Sequence, residues 1–78
     1  MNLLPILVST VLEYADVPPE SLTSQTNPGL DLNLNSYDMM SILGRLESDL
    51  GVHFDERKLR NLSTLGDLDD YIRSQLRH

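Results

Sequence analysis

Apolar residues recur along this chain with a helical period in three places. The first is near residues 3 to 15, where Leu4, Val8, Val11 and Ala15 follow a four-three-four spacing and Leu3, Leu7 and Tyr14 widen the stripe. Pro5 falls in the first turn, where its missing N–H costs nothing. Pro18-Pro19 cannot continue a helix, so this element should end near Asp16. The second stripe is Met39, Ile42, Leu43, Leu46 and Leu50, which predicts a helix from Ser36 to about Leu50, closed by Gly51 as a left-handed C-cap. The third is Leu65, Leu68, Ile72 and Leu76, with Tyr71 beside them, in a helix beginning at Ser63 or Thr64. There Asp67, Asp69 and Asp70 come early and Arg73 and Arg77 late, the order that complements a helix dipole.

The segments between are of two kinds. Residues 17 to 35 read as a long loop punctuated by Pro18, Pro19, Pro28 and Gly29. Loops of this length in a small domain are usually functional or disordered. Leu22, Leu30, Leu32 and Leu34 suggest that this one packs onto the helices, and a strand through Leu30, Leu32 and Leu34 is the competing assignment. Val52-His53-Phe54 is a short connector, after which Asp55 could cap a turn or two of helix through Leu59. The expected architecture is all-α: a small up-and-down four-helix bundle with three main helices, one short helix and a long first loop. Residues 1–78 are expected to form a single domain, and the chain is read as standing alone.

Composition narrows the function. A chain of 78 residues buries a thin core and has little room for a deep private active site. The 12 acidic and 6 basic residues leave a net charge of −6, which argues against nucleic acid, since a phosphate backbone calls for clustered Lys and Arg. Acidic surfaces instead keep small proteins apart and steer basic partners. The apolar opening lacks a positive lead-in and soon meets Glu13 and Asp16, so neither a signal peptide nor a membrane span is expected. There is no cysteine, hence no disulfide and no thiolate of the chain's own.

The candidate chemistry gathers around one serine. Asp31-x-Asn33-x-Asn35 has the opening of an EF-hand calcium loop, but the glycine and the glutamate that such a loop needs are here Ser36 and Ile42. His53 and His78 stand too far apart for a zinc signature, so no metal is expected. Ser36 lacks a neighbouring base or oxyanion loop, which argues against its being a nucleophile in a reaction of its own. It is a serine at a helix start. The plain reading is an N-cap, whose loss would cost about 0.5–2 kcal/mol. The sharper reading is that a helix N-terminus tolerates an attached phosphate. At about 100° per residue, Ser36, Glu47, Met40, Gly44 and Tyr37 share one sector of the helix. Met40 and Tyr37 either broaden the core or form an exposed contact strip beside the serine.

The segment Asp31-Leu32-Asn33-Leu34-Asn35-Ser36-Tyr37-Asp38 resembles the Asp-Leu-Gly-x-Asp-Ser-Leu-Asp motif of the acyl carrier proteins. The similarity continues through Leu46-Glu47-Ser48-Asp49-Leu50-Gly51-Val52, through Leu62-Ser63-Thr64-Leu65-Gly66-Asp67-Leu68, and in Tyr71-Ile72. The resemblance implies a carrier rather than an enzyme. In that family a phosphopantetheinyl transferase moves 4′-phosphopantetheine from coenzyme A to the motif serine, here Ser36. The arm then shuttles thioester-linked acyl intermediates of fatty-acid, polyketide or related biosynthesis between acyl-loading and acyl-transfer or condensing enzymes. The absent cysteine fits, because the reactive sulfur would belong to the arm. Partner enzymes would cover Asn35, Tyr37, Asp38, Met40, Gly44 and Glu47 around the serine. The resemblance also implies a cytoplasmic monomer. Asn35 stands where the family has Asp, Tyr37 where Leu is usual, and Ser41 and Arg45 where acidic or small residues are common. These departures point to a specialised carrier as readily as to a housekeeping one. The alternative is a cofactor-free helical interaction module that docks through Tyr37 and Met40.

Overall fold

A computed structural model describes residues 3–76. The described residues hold five α-helices: α1 (Leu4–Val11), α2 (Pro28–Asp31), α3 (Ser36–Leu50), α4 (Glu56–Leu59) and α5 (Leu65–Leu76), with a 3-10 turn at Pro19–Ser21. No strand is present among them, so the alternative assignment at Leu30, Leu32 and Leu34 is set aside. The all-helical class and the three long helices follow the sequence pattern. The added element is α2, a single turn inside the long loop.

α1 is shorter than its stripe implied. The regular helix ends at Val11. Beyond it the Leu12 amide still donates to Val8, the Glu13 and Tyr14 amides close tighter turns on Thr10 and Val11, and the Ala15 amide donates back to Val11, which delivers Ala15 to the interior. The centre of its buried face is Leu3, Leu7 and Val11, whereas Leu4 and Val8 lie at the margin and Tyr14 is exposed. Thr10 is buried too and returns its hydroxyl proton to the Ile6 carbonyl at 2.9 Å, which satisfies the polar group. α1 packs against both α3 and α5. The core joins Leu3, Leu7 and Val11 to Ile42 and Leu46 of α3 and to Leu65, Leu68 and Ile72 of α5. Of the α5 stripe, only Leu76 is left exposed. Asp69 is buried instead, and its carboxylate lies 3.3 Å from the Arg73 guanidinium one turn on.

The connector after α3 is held from two sides. The Phe54 amide donates to Glu47 at 2.8 Å, and the Asp55 amide donates to the Tyr71 hydroxyl at 2.9 Å. The Phe54 and Tyr71 rings lie 5.7 Å apart, tilted by 41°, within the usual range for aromatic pairs. Asp55 then caps α4 by accepting from the Arg57 amide, as its sequence position predicts.

The long loop is anchored by the start of α5. The first amides of any helix lack intrahelical partners. Here the Leu65 amide donates to the Thr26 carbonyl at 2.9 Å and the Gly66 amide to the Ser24 carbonyl at 2.7 Å. Thr64 and Asp67 cap each other, the Thr64 hydroxyl accepting from the Asp67 amide and the Asp67 carboxylate from the Thr64 and Ser63 amides. Those backbone donors hold the Asp67 carboxyl below the usual carboxylate range. Its contribution to stability is therefore complete above the ordinary aspartate pKa and is lost as the pH falls through the lowered one.

Of the four loop leucines, Leu22 is buried and Leu32 and Leu34 are partly buried, but Leu30 is 82% exposed. Leu30 points away because α2 is a locally capped turn. The Asn27 side chain accepts from the Gly29 and Leu30 amides while the Asp31 carboxylate accepts from the Asn27 amide. Beyond α2, Asn33 adopts φ 57°, the left-handed region. Asparagine is among the few residues other than glycine that visit it readily. Replacing Asn33 by valine is expected to cost about 1–2 kcal/mol, while Asn33→Gly stays within about 0.5 kcal/mol of the parent. Thermal melting of the two variants side by side tests this.

Candidate functional site

The left-handed turn at Asn33 brings the chain into α3, and the cap of that helix decides what Ser36 can do. Asn35 is the N-cap, not Ser36. Its side chain accepts from the Asp38 amide at 2.8 Å, and the Asp38 carboxylate accepts in return from the Asn35 amide at 3.4 Å. Two neighbouring residues of cap-forming type compete here. Asn35 wins because Asp38 then falls three residues on, where the reciprocal bond closes. Ser36 becomes the first residue inside the helix. It is exposed, and its hydroxyl has no hydrogen-bond partner among the described residues. The Ser36 and Tyr37 amides at this end of the helix dipole are also unclaimed by the chain.

The expected contact residues divide into two groups. Tyr37 is 78% and Met40 70% exposed, so they form a surface strip and do not broaden the core. Gly44 lies on the same helix face one turn beyond Met40, and a Cβ built there would meet nothing outside its own helix backbone within 4 Å. Asn35 and Asp38 are occupied with each other. Glu47 shares the sector, but its carboxylate is turned to the connector, accepting from Phe54 and lying 3.4 Å from His53 Nδ1. Arg45 spans Asp49 and Glu13 at 3.2 Å each, linking α3 to the end of α1. Glu13 first, then Asp49, raises the guanidinium pKa above its ordinary value. All three side chains are about half exposed, so solvent screens both pairs and they add little to stability.

On the core side of α3, Met39 and Leu43 meet Leu59, Leu62, Leu65 and Leu68 around an apolar cavity of about 60 Å³. That is well below the roughly 150 Å³ in which a benzene-sized guest is held. No pattern along the chain announces this cavity, because it arises where α3, α4 and α5 meet. Among the described residues no group of three or more His, Cys, Asp or Glu side chains could hold a metal. Ile42, at the position where an EF-hand needs its glutamate, is buried in the core. His78 and Arg77 lie outside the described residues. No helix among the described residues is long and apolar enough to cross a membrane.

Known proteins are similar to this chain in sequence and in fold. The family described as the phosphopantetheine attachment site matches residues 5–72. An acyl carrier protein of Renibacterium salmoninarum is 32% identical over 68 residues, covering 87% of this chain and 84% of that one. An acyl carrier protein homolog of Mycoplasma genitalium is 46% identical over 41 residues, covering 53% of this chain and 49% of that one. The solved structure of the acyl carrier protein from Enterococcus faecalis superimposes with a TM-score of 0.80 at 26% identity, over 94% of this chain and 92% of that one. With the match running from α1 into α5 and the helices arranged alike, the chain belongs to the acyl carrier protein family, whose members are carriers of covalent 4′-phosphopantetheine and not enzymes.

Proposed function

We propose that Ser36 is the residue that carries 4′-phosphopantetheine, and that the protein shuttles thioester-linked acyl intermediates between enzymes of fatty-acid, polyketide or related biosynthesis. The observation that supports this most is the division of labour at the start of α3. Asn35 and Asp38 complete the cap, which leaves the Ser36 hydroxyl exposed and uncommitted. The residues fit the group. A phosphodiester at Ser36 adjoins the positive end of a 15-residue helix and two open amides. In the attachment step the Ser36 oxygen attacks the pantetheine-side phosphorus of coenzyme A. The new O–P bond replaces the bond to the departing 3′-phosphoadenosine 5′-phosphate, and the hydroxyl proton passes to the transferase. Once attached, the group supplies a thiol on a flexible arm, the sulfur that this chain lacks. The arm raises the local concentration of its cargo at each partner without tight docking.

The partners in this reading are a phosphopantetheinyl transferase and the loading, transfer or condensing enzymes of one pathway, in the cytoplasm. These would cover Tyr37, Met40 and Gly44, with Asn35, Asp38 and Glu47 at the edge of the contact. Incubation with a promiscuous transferase and coenzyme A, followed by peptide mass spectrometry, tests the assignment. The expected adduct lies on the peptide containing Ser36. An adduct on Ser41 or Ser63, or none, would refute it.

A further inference from the structure

The positive charges of this chain are divided unevenly. Arg57, Lys58 and Arg60 are half of its 6 basic residues, and they stand together on α4 and just after it. Elsewhere each described arginine bridges two carboxylates: Arg45 takes Glu13 and Asp49, and Arg73 takes Asp69 and Asp70. The three cations of α4 form no ion pair among the described residues, although the chain has 12 acidic residues. Asp55 stands beside them, but its carboxylate accepts from the Arg57 amide. Lys58 Nζ lies 6.0 Å from the centre of the Tyr71 ring, and the Arg57 and Arg60 side chains are exposed without a partner. α4 is a single turn, so it has little dipole for three cations to complement.

The place of α4 relates this charge to Ser36. Leu59, flanked by cations on both sides in the sequence, turns inward and lines the apolar cavity with Met39 and Leu43. Met39 is one turn into α3 from Ser36. The cations therefore border the junction of α3 and α4, close to the helix end that would bear the arm. The cavity, about 60 Å³, is too small to take in a long apolar chain, so the far end of a cargo stays in water at the surface. Three cations on one turn are also too few to make a stable interface, which buries about 800 Å² per partner. A tethered group needs far less, since its effective concentration is on the order of mM and weak pairing suffices. Arginine suits such pairing, because its planar fork donates two parallel hydrogen bonds to a carboxylate.

We infer that Arg57, Lys58 and Arg60 determine cargo specificity: the acyl chain carried on Ser36 ends in a free carboxylate, as in the half-thioester of a dicarboxylic acid, and α4 holds that carboxylate. This rests on the assignment of Ser36 made above and adds the class of substrate.

The test uses the isotope-labelled full chain, loaded at Ser36 by a purified promiscuous transferase from succinyl-coenzyme A or from butyryl-coenzyme A. Both transfers form the O–P bond described above, release the same nucleotide and leave the thioester intact. The two arms are equally long and differ by a terminal carboxylate against a methyl group. In NMR spectra the amide signals of residues 57–60 are expected to move with the succinyl arm and to stay near their unloaded positions with the butyryl arm. Sodium chloride at about 1 M, where the Debye length is about 3 Å, is expected to abolish that difference. The double variant Arg57→Gln/Arg60→Gln, read at the Lys58 and Leu59 amides, is expected to lose it as well. Equal shifts for the two arms with Ser36 labelled would overturn the inference and leave the attachment site standing. A succinyl-specific shift that survives in the double variant would overturn it too. Equal shifts joined to a higher KM of the transferase for the double variant would assign the cations to an acidic partner enzyme, against this inference. Absence of label on the parent's Ser36 would remove the attachment site, and the inference with it.

Discussion

Ser36→Ala is expected to take up no phosphopantetheine at all and yet to melt within about 0.5 kcal/mol of the parent protein. The loss of label is expected because the nearest serine in α3 and the serine just before α5 are both excluded by place. Ser41 lies a turn further into α3, where no helix-end amides are free, and the Ser63 amide is bonded to Asp67 in the α5 cap. The small stability change follows from the cap. Had Ser36 been the N-cap, its removal would have cost about 0.5–2 kcal/mol. Since Asn35 accepts the Asp38 amide instead, that cost moves one residue back, to Asn35→Ala. Alanine at an exposed first-turn position is close to neutral. Transferase labelling and circular dichroism melting of Ser36→Ala beside Asn35→Ala separate the two roles. A Ser36→Ala variant that still gains the adduct, or that melts as low as Asn35→Ala, contradicts this division.

Gly66→Ala is expected to destabilise the fold by about 1–3 kcal/mol, the usual cost of forcing an atom into filled space. A Cβ at this position would lie 2.8 Å from the Ser24 carbonyl oxygen and 3.2 Å from the Ser24 Cβ. The nearest atom is backbone, so it cannot swing aside as the tip of a long side chain could. That same carbonyl accepts the Gly66 amide at 2.7 Å, and its neighbour at Thr26 accepts the Leu65 amide. Pushing Ser24 outward therefore loosens the anchor of the whole long loop. Alanine's better helix propensity offsets only part of this, about 0.5–1 kcal/mol. Thermal melting should place Gly66→Ala below the parent and Gly44→Ala above it. Two glycines inside helices would then respond with opposite sign to the same added methyl. If Gly66→Ala melts at or above the parent temperature, the loop does not depend on this close approach.

What could be read along the chain was whatever local chemistry imposes. The bounds of α3 at Ser36 and Leu50, the left-handed Gly51, the Asp55 cap of α4 and the Thr64 cap just before α5 each rest on groups within four residues of one another. The serine, its helix end and its family resemblance were legible for the same reason. The choice between Asn35 and Ser36 as cap was local as well, and the Asp38 side chain three residues beyond Asn35 was the signal that could have settled it. Other features depend on which surfaces meet. A helical wheel places Tyr37, Met40 and Gly44 on one face but says nothing about where the neighbouring helices will lie. α1 and α5 cover the Ile42 and Leu46 side of α3, and that leaves the strip in water. The same packing made Leu3 and Leu7, not Leu4 and Val8, the centre of the α1 face. The long loop joins α5 through bonds between residues about forty positions apart, from Ser24 and Thr26 to Gly66 and Leu65. No periodicity reports such a pairing, because the hydrogen bonds join backbone to backbone and only the folded chain brings those groups together.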